Sequence, residues 1–195
     1  MDYFEVLKKR QSIRAFQNRP IEDGKLHRII EAVNLAPSAG DLQAYEIVVV
    51  KDSRRKRALA RAAWEQNFIA DAPVCLVFLA YPGRSSGKYG QRGSQLYCLQ
   101  DATIAATFAH LTATALGLGS TWVGAFDDDA VANAVDAPKD KRPIAILPLG
   151  YPAKTPQLTP RRSVREILSS EISGVPYPFS FTDESFERPT WKPDF

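Results

Sequence analysis

Two histidines and two cysteines are all that 195 residues offer of the side chains that metal centres and thiol catalysis depend on, and they assemble no ligand or nucleophile constellation. No metal site is expected. Cys75 and Cys98 form no CxxC pair and sit in apolar runs, which predicts two reduced, buried thiols in a cytoplasmic protein. No uninterrupted run of about 18 apolar residues occurs, so no helical membrane span is expected. The start, with Asp2 and Glu5 followed by Lys8, Lys9 and Arg10, lacks the apolar region of a signal peptide. Charge of one sign is missing too: 25 basic against 22 acidic residues leave a net charge of +3, too balanced for a nucleic-acid partner. A pI near 8.9 still favours an anionic small ligand. Internal repeats and a domain linker are absent, and the length suits one domain with a real core.

Familiar phosphate signatures fail on inspection. Gly83-Arg-Ser-Ser-Gly-Lys-Tyr89 has three residues between its glycines and Tyr after the lysine, where a P-loop needs four residues and Ser or Thr. The segment to Gly93 therefore reads as a mobile surface loop, a candidate lid. Gly117-Leu-Gly119 lies where a helix gives way to a strand, the reverse of a dinucleotide-binding turn, and Trp122 fills the sixth position. The run Arg54, Arg55, Lys56, Arg57 cannot share one helical face and reads as solvated surface, with no aromatic platform for a nucleic acid.

What is present begins with Arg10-Gln-Ser-Ile-Arg-Ala-Phe16, two guanidinium groups and a hydroxyl within five residues, suited to a phosphate or an electron-rich carbonyl. A helix over 2–10 with an Asp2/Glu5 capping box precedes it. Leu26, Ile29, Ile30 and Val33 fall on one face of a second helix over about 22–35, which Pro37 stops, and His27 lies off that stripe as a surface residue. Ala36-Pro-Ser-Ala-Gly-Asp-Leu-Gln43 follows as a loop of small and hydrogen-bonding residues, then a strand over 46–51. Ser53 is expected to cap the next helix, and Val74–Ala80 reads as a buried strand. The longest helix, 94–116, is apolar nearly all round and is expected to be buried on every side, which points to an intimate homodimer with His110 as a satisfied interface histidine. Gly124 is positioned to bare its backbone N–H. A short helix capped at Asp127–Asp129, a strand over 142–152, an Arg cluster at 161–162 before a final helix, and an aromatic tail from Gly174 complete the chain.

Arg10-x-Ser-x-Arg14, Ala36–Gln43, Gly117–Phe126 and Leu149–Pro152 with Arg161-Arg162, in that order, resemble the FMN-dependent nitroreductase family over about residues 2–170. The resemblance implies an α+β fold with a mixed, mostly antiparallel sheet wrapped by helices, in an intertwined homodimer with FMN at the interface. It divides the chain into a flavin-binding domain, 1–172, and an aromatic, proline-rich arm, 173–195, packed on the body or the partner subunit. By position, Arg10, Ser12 and Arg14 would meet FMN from one subunit, and Pro37, Ser38, Ala39, Asp41 and Gln43 from the other. Val123 and Gly124 would present backbone near flavin N5, and Arg161 or Arg162 would close on the phosphate. No side-chain acid, base or nucleophile is then required, and Arg14 would tune the flavin. The implied activity is NAD(P)H oxidation in a ping-pong cycle, with hydride passed through N5 to a nitroaromatic, quinone or enone. Alternatives within the fold are dehalogenation, flavin fragmentation, dehydrogenation, or flavin binding without catalysis. Two departures stand out: Asp41 replaces the usual Asn, and Ala44-Tyr45 replaces the usual Pro-Trp.

Overall fold

Seven consecutive apolar residues, Val74–Ala80, form strand β2, and all seven are buried. An unbroken apolar run rather than an alternating one is what a strand covered on both faces requires. Its neighbours are β1 (Tyr45–Val50) and β4 (Arg142–Gly150), and β3 (Gly119–Ser120) pairs with β4, giving the order β1-β2-β4-β3. All three pairings are antiparallel, while an isolated bridge between Ser12 and Ser120 runs parallel. The computed structural model describes residues 1–154 and 156–178. Two compact units divide the chain, Met1–Thr155 and Pro156–Phe195.

Side chains alternate across the sheet, so β2 feeds two cores. Val74, Leu76 and Phe78 pack with Leu147 and Leu149 against α2 (Asp23–Asn34) and α6 (Cys98–Ala115). Cys75, Val77 and Leu79 pack with Ile146 against α3 (Ser53–Ala62), α4 (Phe68–Asp71) and α7 (Asp128–Ala134). The expected α+β architecture, a sheet wrapped by helices, is the one found. Both cysteines are free and buried, and burial pushes the Cys75 thiol up to about 12.

Local chemistry sets the helix ends. Asp2 accepts from the Glu5 N–H at 2.9 Å and starts α1 (Tyr3–Lys9). Helix α3 is capped by Asp52 rather than by Ser53, because the carboxylate reaches the N–H groups of both Arg54 and Arg55. Within the 54–57 run, Lys56 departs from the expected solvated face: it is buried and its Nζ donates to the Ala72 carbonyl at 2.6 Å. The remaining three cations are exposed.

The segment expected to be a loop is helix α5 (Pro82–Arg92), with a left-handed break at Gly90, continuing through a π turn (Gly93–Tyr97) into α6. Pro82 sits at its first turn, where a missing N–H costs nothing. Gly93 is required there, since a Cβ would lie 2.4 Å from the Ser85 carbonyl oxygen. Helix α6 is buried along Ala102, Ala105, Ala106, Ala109 and Ala113, whereas Gln100, Thr103 and Thr107 are exposed and Ile104 and Leu111 half-buried. Burial on every side is therefore not achieved within one chain, because its neighbours cover only part of the helix's circumference.

In the second unit, the expected final helix reduces to a single 3-10 turn, Val164–Glu166, capped by the Ser163 hydroxyl. Of the aromatic tail, Tyr177 is exposed, and Phe179, Phe181, Phe186, Trp191 and Phe195 lie outside the described residues.

Candidate functional site

Where α1 ends, Arg10 closes the helix by donating its N–H to the Val6 carbonyl at 2.8 Å, and the chain turns extended. It then runs beside β3. The Ile13 N–H donates to Ser120 O at 3.0 Å, and the Thr121 hydroxyl donates to Ile13 O at 2.7 Å. Ile13 is buried against Gly119, where any Cβ would meet its side chain at 2.7 Å. Alternation along an extended strand then turns Ser12 and Arg14 away from the core, leaving Ser12 half-buried and Arg14 exposed over the Phe68 ring at 5.8 Å. The sequence cluster is thereby brought to Gly119–Thr121.

Val123 and Gly124, placed together by the sequence, differ in availability. Val123 is buried, and both its N–H and its C=O pair with Ile146. Gly124 is exposed, and its N–H meets no partner among the described residues, so Gly124 alone has a backbone donor to offer. Between Arg10 and Ser12, Gln11 Oε1 is buried with no hydrogen-bond partner among the described residues. Two guanidinium groups, a hydroxyl, a free N–H and an orphaned acceptor fit a ligand carrying an anion, carbonyls and hydroxyls.

A different device holds the second candidate segment. Gly40, Asp41 and Gln43 all have positive φ, at 58°, 58° and 46°. Asp is among the few non-glycine residues that tolerate that region, which gives Asp41 a conformational reason to stand there. The loop closes on itself through the Gln43 N–H to Ser38 Oγ at 2.9 Å and the Gln43 side chain to Asn34. Its two ends are gripped by one buried carboxylate from α6: Asp101 accepts from the Ala39 N–H at 2.9 Å and from the Ala44 N–H at 3.2 Å. Helix α5 backs the loop, with Arg84 Nε donating to Leu42 O and the Tyr81 N–H donating to Ala44 O at 2.8 Å. Pro37, Ser38 and Ala39 share a depression of about 540 Å³ with Leu99, Thr103 and Ile104.

Sequence reasoning missed Asp101. The signal was available: one carboxylate in an Ala-rich helix has to find donors if it is buried. His110 was noticed but assigned to an interface. It is satisfied inside its own chain, with Arg10 Nη1 3.0 Å from Nε2 and the Ser120 hydroxyl against Nδ1. Burial, reinforced by the Arg10 charge, pushes its pKa down to about 4.

Asp101 and His110 are nine residues apart on α6, which separates them by about 13 Å along the axis and by about 180° around it. They flank opposite edges of the buried Ala stripe. The Arg10–Arg14 segment and the 38–44 loop are therefore held on opposite sides of one helix, and are not brought together within one chain. Arg161 and Arg162 lie in the second unit: Arg161 Nη1 donates to the carbonyls of Thr159 and Pro160, and Arg162 pairs with Glu166 at 3.3 Å.

Comparison with known proteins places the chain in a family. The chain is 33% identical over 173 residues to a NADH dehydrogenase of Thermus thermophilus, covering 75% of this chain and 84% of that one. It is 31% identical over 173 residues to the FMN reductase [NAD(P)H] of Bacillus subtilis, covering 80% and 70%. In structure it is similar to the NADPH:FMN oxidoreductase of Vibrio harveyi complexed with NAD+, with a TM-score of 0.80, 26% identity, and coverage of 87% of this chain and 77% of that one. The nitroreductase family model matches residues 7–73 and 60–151, a span that takes in the Arg10–Arg14 segment, the 36–43 loop and the 117–126 stretch together. This chain belongs to the nitroreductase family.

Proposed function

We propose that this protein is an FMN-dependent NAD(P)H oxidoreductase that works as a cytoplasmic homodimer. The observation that carries the reading is the 10–14 segment tied to Ser120 and Thr121, which brings Arg10, Ser12 and Arg14 to the stretch that leads on to Gly124. Arg10 and Ser12 would hold the phosphate. Charge-assisted bonds of this kind are worth roughly 1.5–3 kcal/mol each. Arg14, whose guanidinium cannot lose its charge, would stabilise negative charge at a pyrimidine-edge carbonyl. Gly124 would donate from its backbone to the flavin edge. When bound, FMN supplies the redox chemistry, taking hydride from a nicotinamide and passing it to a nitroaromatic, quinone or enone acceptor. Residues 1–172 would form the flavin-binding domain, with 173–195 as an arm.

The opposite placement of the two candidate segments across α6 supports the dimer. A second copy would bring its Pro37, Ser38, Ala39, Asp41 and Gln43 to the first copy's arginines. It would also cover Thr103, Thr107 and Leu111, which one chain leaves open. Two buried thiols suit a reducing compartment.

The test is the visible spectrum of the purified protein, followed anaerobically as NADH or NADPH is added. A two-banded yellow spectrum that bleaches is expected, from a particle of twice the 21.6 kDa chain mass. Colourless protein that takes up no added FMN overturns the cofactor, and a monomeric mass overturns the shared site.

A further inference from the structure

Arginine has five N–H donors and no acceptor. Its Nη1 lies 3.0 Å from His110 Nε2, so that ring nitrogen has to be the bare one, accepting from Arg10. In the neutral imidazole the proton then sits on Nδ1, which faces the Ser120 hydroxyl and donates to it. Both ring nitrogens are committed, and the ring is 7% exposed. His110 thus has neither a lone pair nor a proton to spend on a substrate. What it does have is a fixed acceptor aimed at one of the two guanidinium groups of the 10–14 segment.

The fixing is firm. His110 sits in the fourth turn of α6, and Ser120, which receives its Nδ1–H, also carries the carbonyl that accepts from Ile13 and the parallel bridge to Ser12. Imidazole and segment therefore share one anchor in β3. An arginine left to itself spreads over many rotamers, and that freedom has to be lost when an anion is bound. An Arg10 already held through its Nη1 meets an anion with part of that loss made in advance.

We propose that His110 is a positioning residue for Arg10: it locks the guanidinium so that the protein recognises the phosphate end of its flavin, distinguishing FMN from riboflavin. The inference rests on the FMN reading above. It assigns to the segment's other members, Ser12 and Arg14, no dependence on His110.

Full-length protein freed of flavin is titrated with FMN and, separately, with riboflavin, by flavin fluorescence. The unaltered chain binds FMN more tightly. His110→Leu, which removes the acceptor, lowers FMN affinity about tenfold while riboflavin affinity changes less than about twofold. His110→Gln, whose amide oxygen can accept from Arg10, recovers most of the preference. Arg10→Ala lowers the preference at least as far as His110→Leu does, and adding His110→Leu to Arg10→Ala costs nothing more. Equal loss of FMN and riboflavin in His110→Leu reduces the histidine to packing and overturns the proposal, as does full FMN preference in that variant. An unaltered chain that binds neither flavin overturns the cofactor reading itself, and this inference with it. Imidazole ¹⁵N NMR on the unaltered protein at neutral pH does not depend on any variant folding: a bare Nε2 with Nδ1 protonated is expected, and the opposite tautomer overturns the proposal.

Discussion

The 10–14 segment and the 38–44 loop carry most of the residues assigned to the ligand, yet they are built on opposite plans. The first is extended and tied to β3 largely through backbone groups, with Arg10 steered by a neutral imidazole. The second spends its polar groups on itself. Ser38 and Gln43 bond within the loop and with Asn34, and two N–H groups are consumed by Asp101. In the function proposed above, the first would recognise and the second would shape. The difference follows from backbone conformation: an extended segment can borrow hydrogen bonds from a sheet edge, whereas a loop with three left-handed residues needs a side chain to supply them.

Removing the device behind the loop should have the largest effect. Asp101→Ala leaves the N–H groups of Ala39 and Ala44 without their acceptor, and a loss of about 2–5 kcal/mol in unfolding free energy is expected by denaturant titration. FMN and riboflavin affinity should fall together, in contrast with His110→Leu. A stability change under about 0.5 kcal/mol would mean that the loop holds its shape without the carboxylate and would erase the distinction between the two plans.

Acid comes next, and it acts on the other region. His110 is neutral in the folded protein down to about pH 4, whereas an unfolded chain protonates it near 6.5. Between those values the unfolded state binds the extra proton, so stability is full above 6.5, falls as the pH drops and levels off below 4. The span corresponds to at most about 3 kcal/mol. Thermal unfolding across pH 4–7 should show the slope in the unaltered chain, and His110→Gln should flatten it.

Smaller effects sharpen the contrast. Thr121→Val removes the hydroxyl that donates to the Ile13 carbonyl and should cost about 1–2 kcal/mol, with FMN affinity falling more than riboflavin affinity because it loosens the segment carrying Arg10 and Ser12. Gly40→Ala asks a side chain to adopt φ 58° beside the ends of Lys88 and Tyr89, which can move aside. About 1 kcal/mol is expected in melting experiments, with little change in the preference for FMN over riboflavin.

Much of this was legible in the chain itself. The seven apolar residues of β2, the periodicity of α2, the donor cluster at 10–14 and the small-residue loop at 36–43 announce themselves through spacing and residue type. The α5 region did not. Four glycines over 83–93 argue for a loop, and the helix forms because it packs on the 39–44 loop and on the π turn at Gly93. Lys56 looked solvated because a charge run carries no information about one member finding the Ala72 carbonyl.

Sequence alone determined the ordered set of motifs, and through their resemblance to a known family the fold class, since each motif is a matter of residue type and short spacing. Tertiary structure alone decided that Val123 is spent on Ile146 while the Gly124 N–H meets no partner among the described residues, that Asp101 grips the loop and that His110 holds Arg10. Those contacts join residues 57 to 100 positions apart in the side-chain cases. No local pattern encodes which buried polar group will meet which. That pairing is fixed only when the helix and the sheet close over them and water no longer competes.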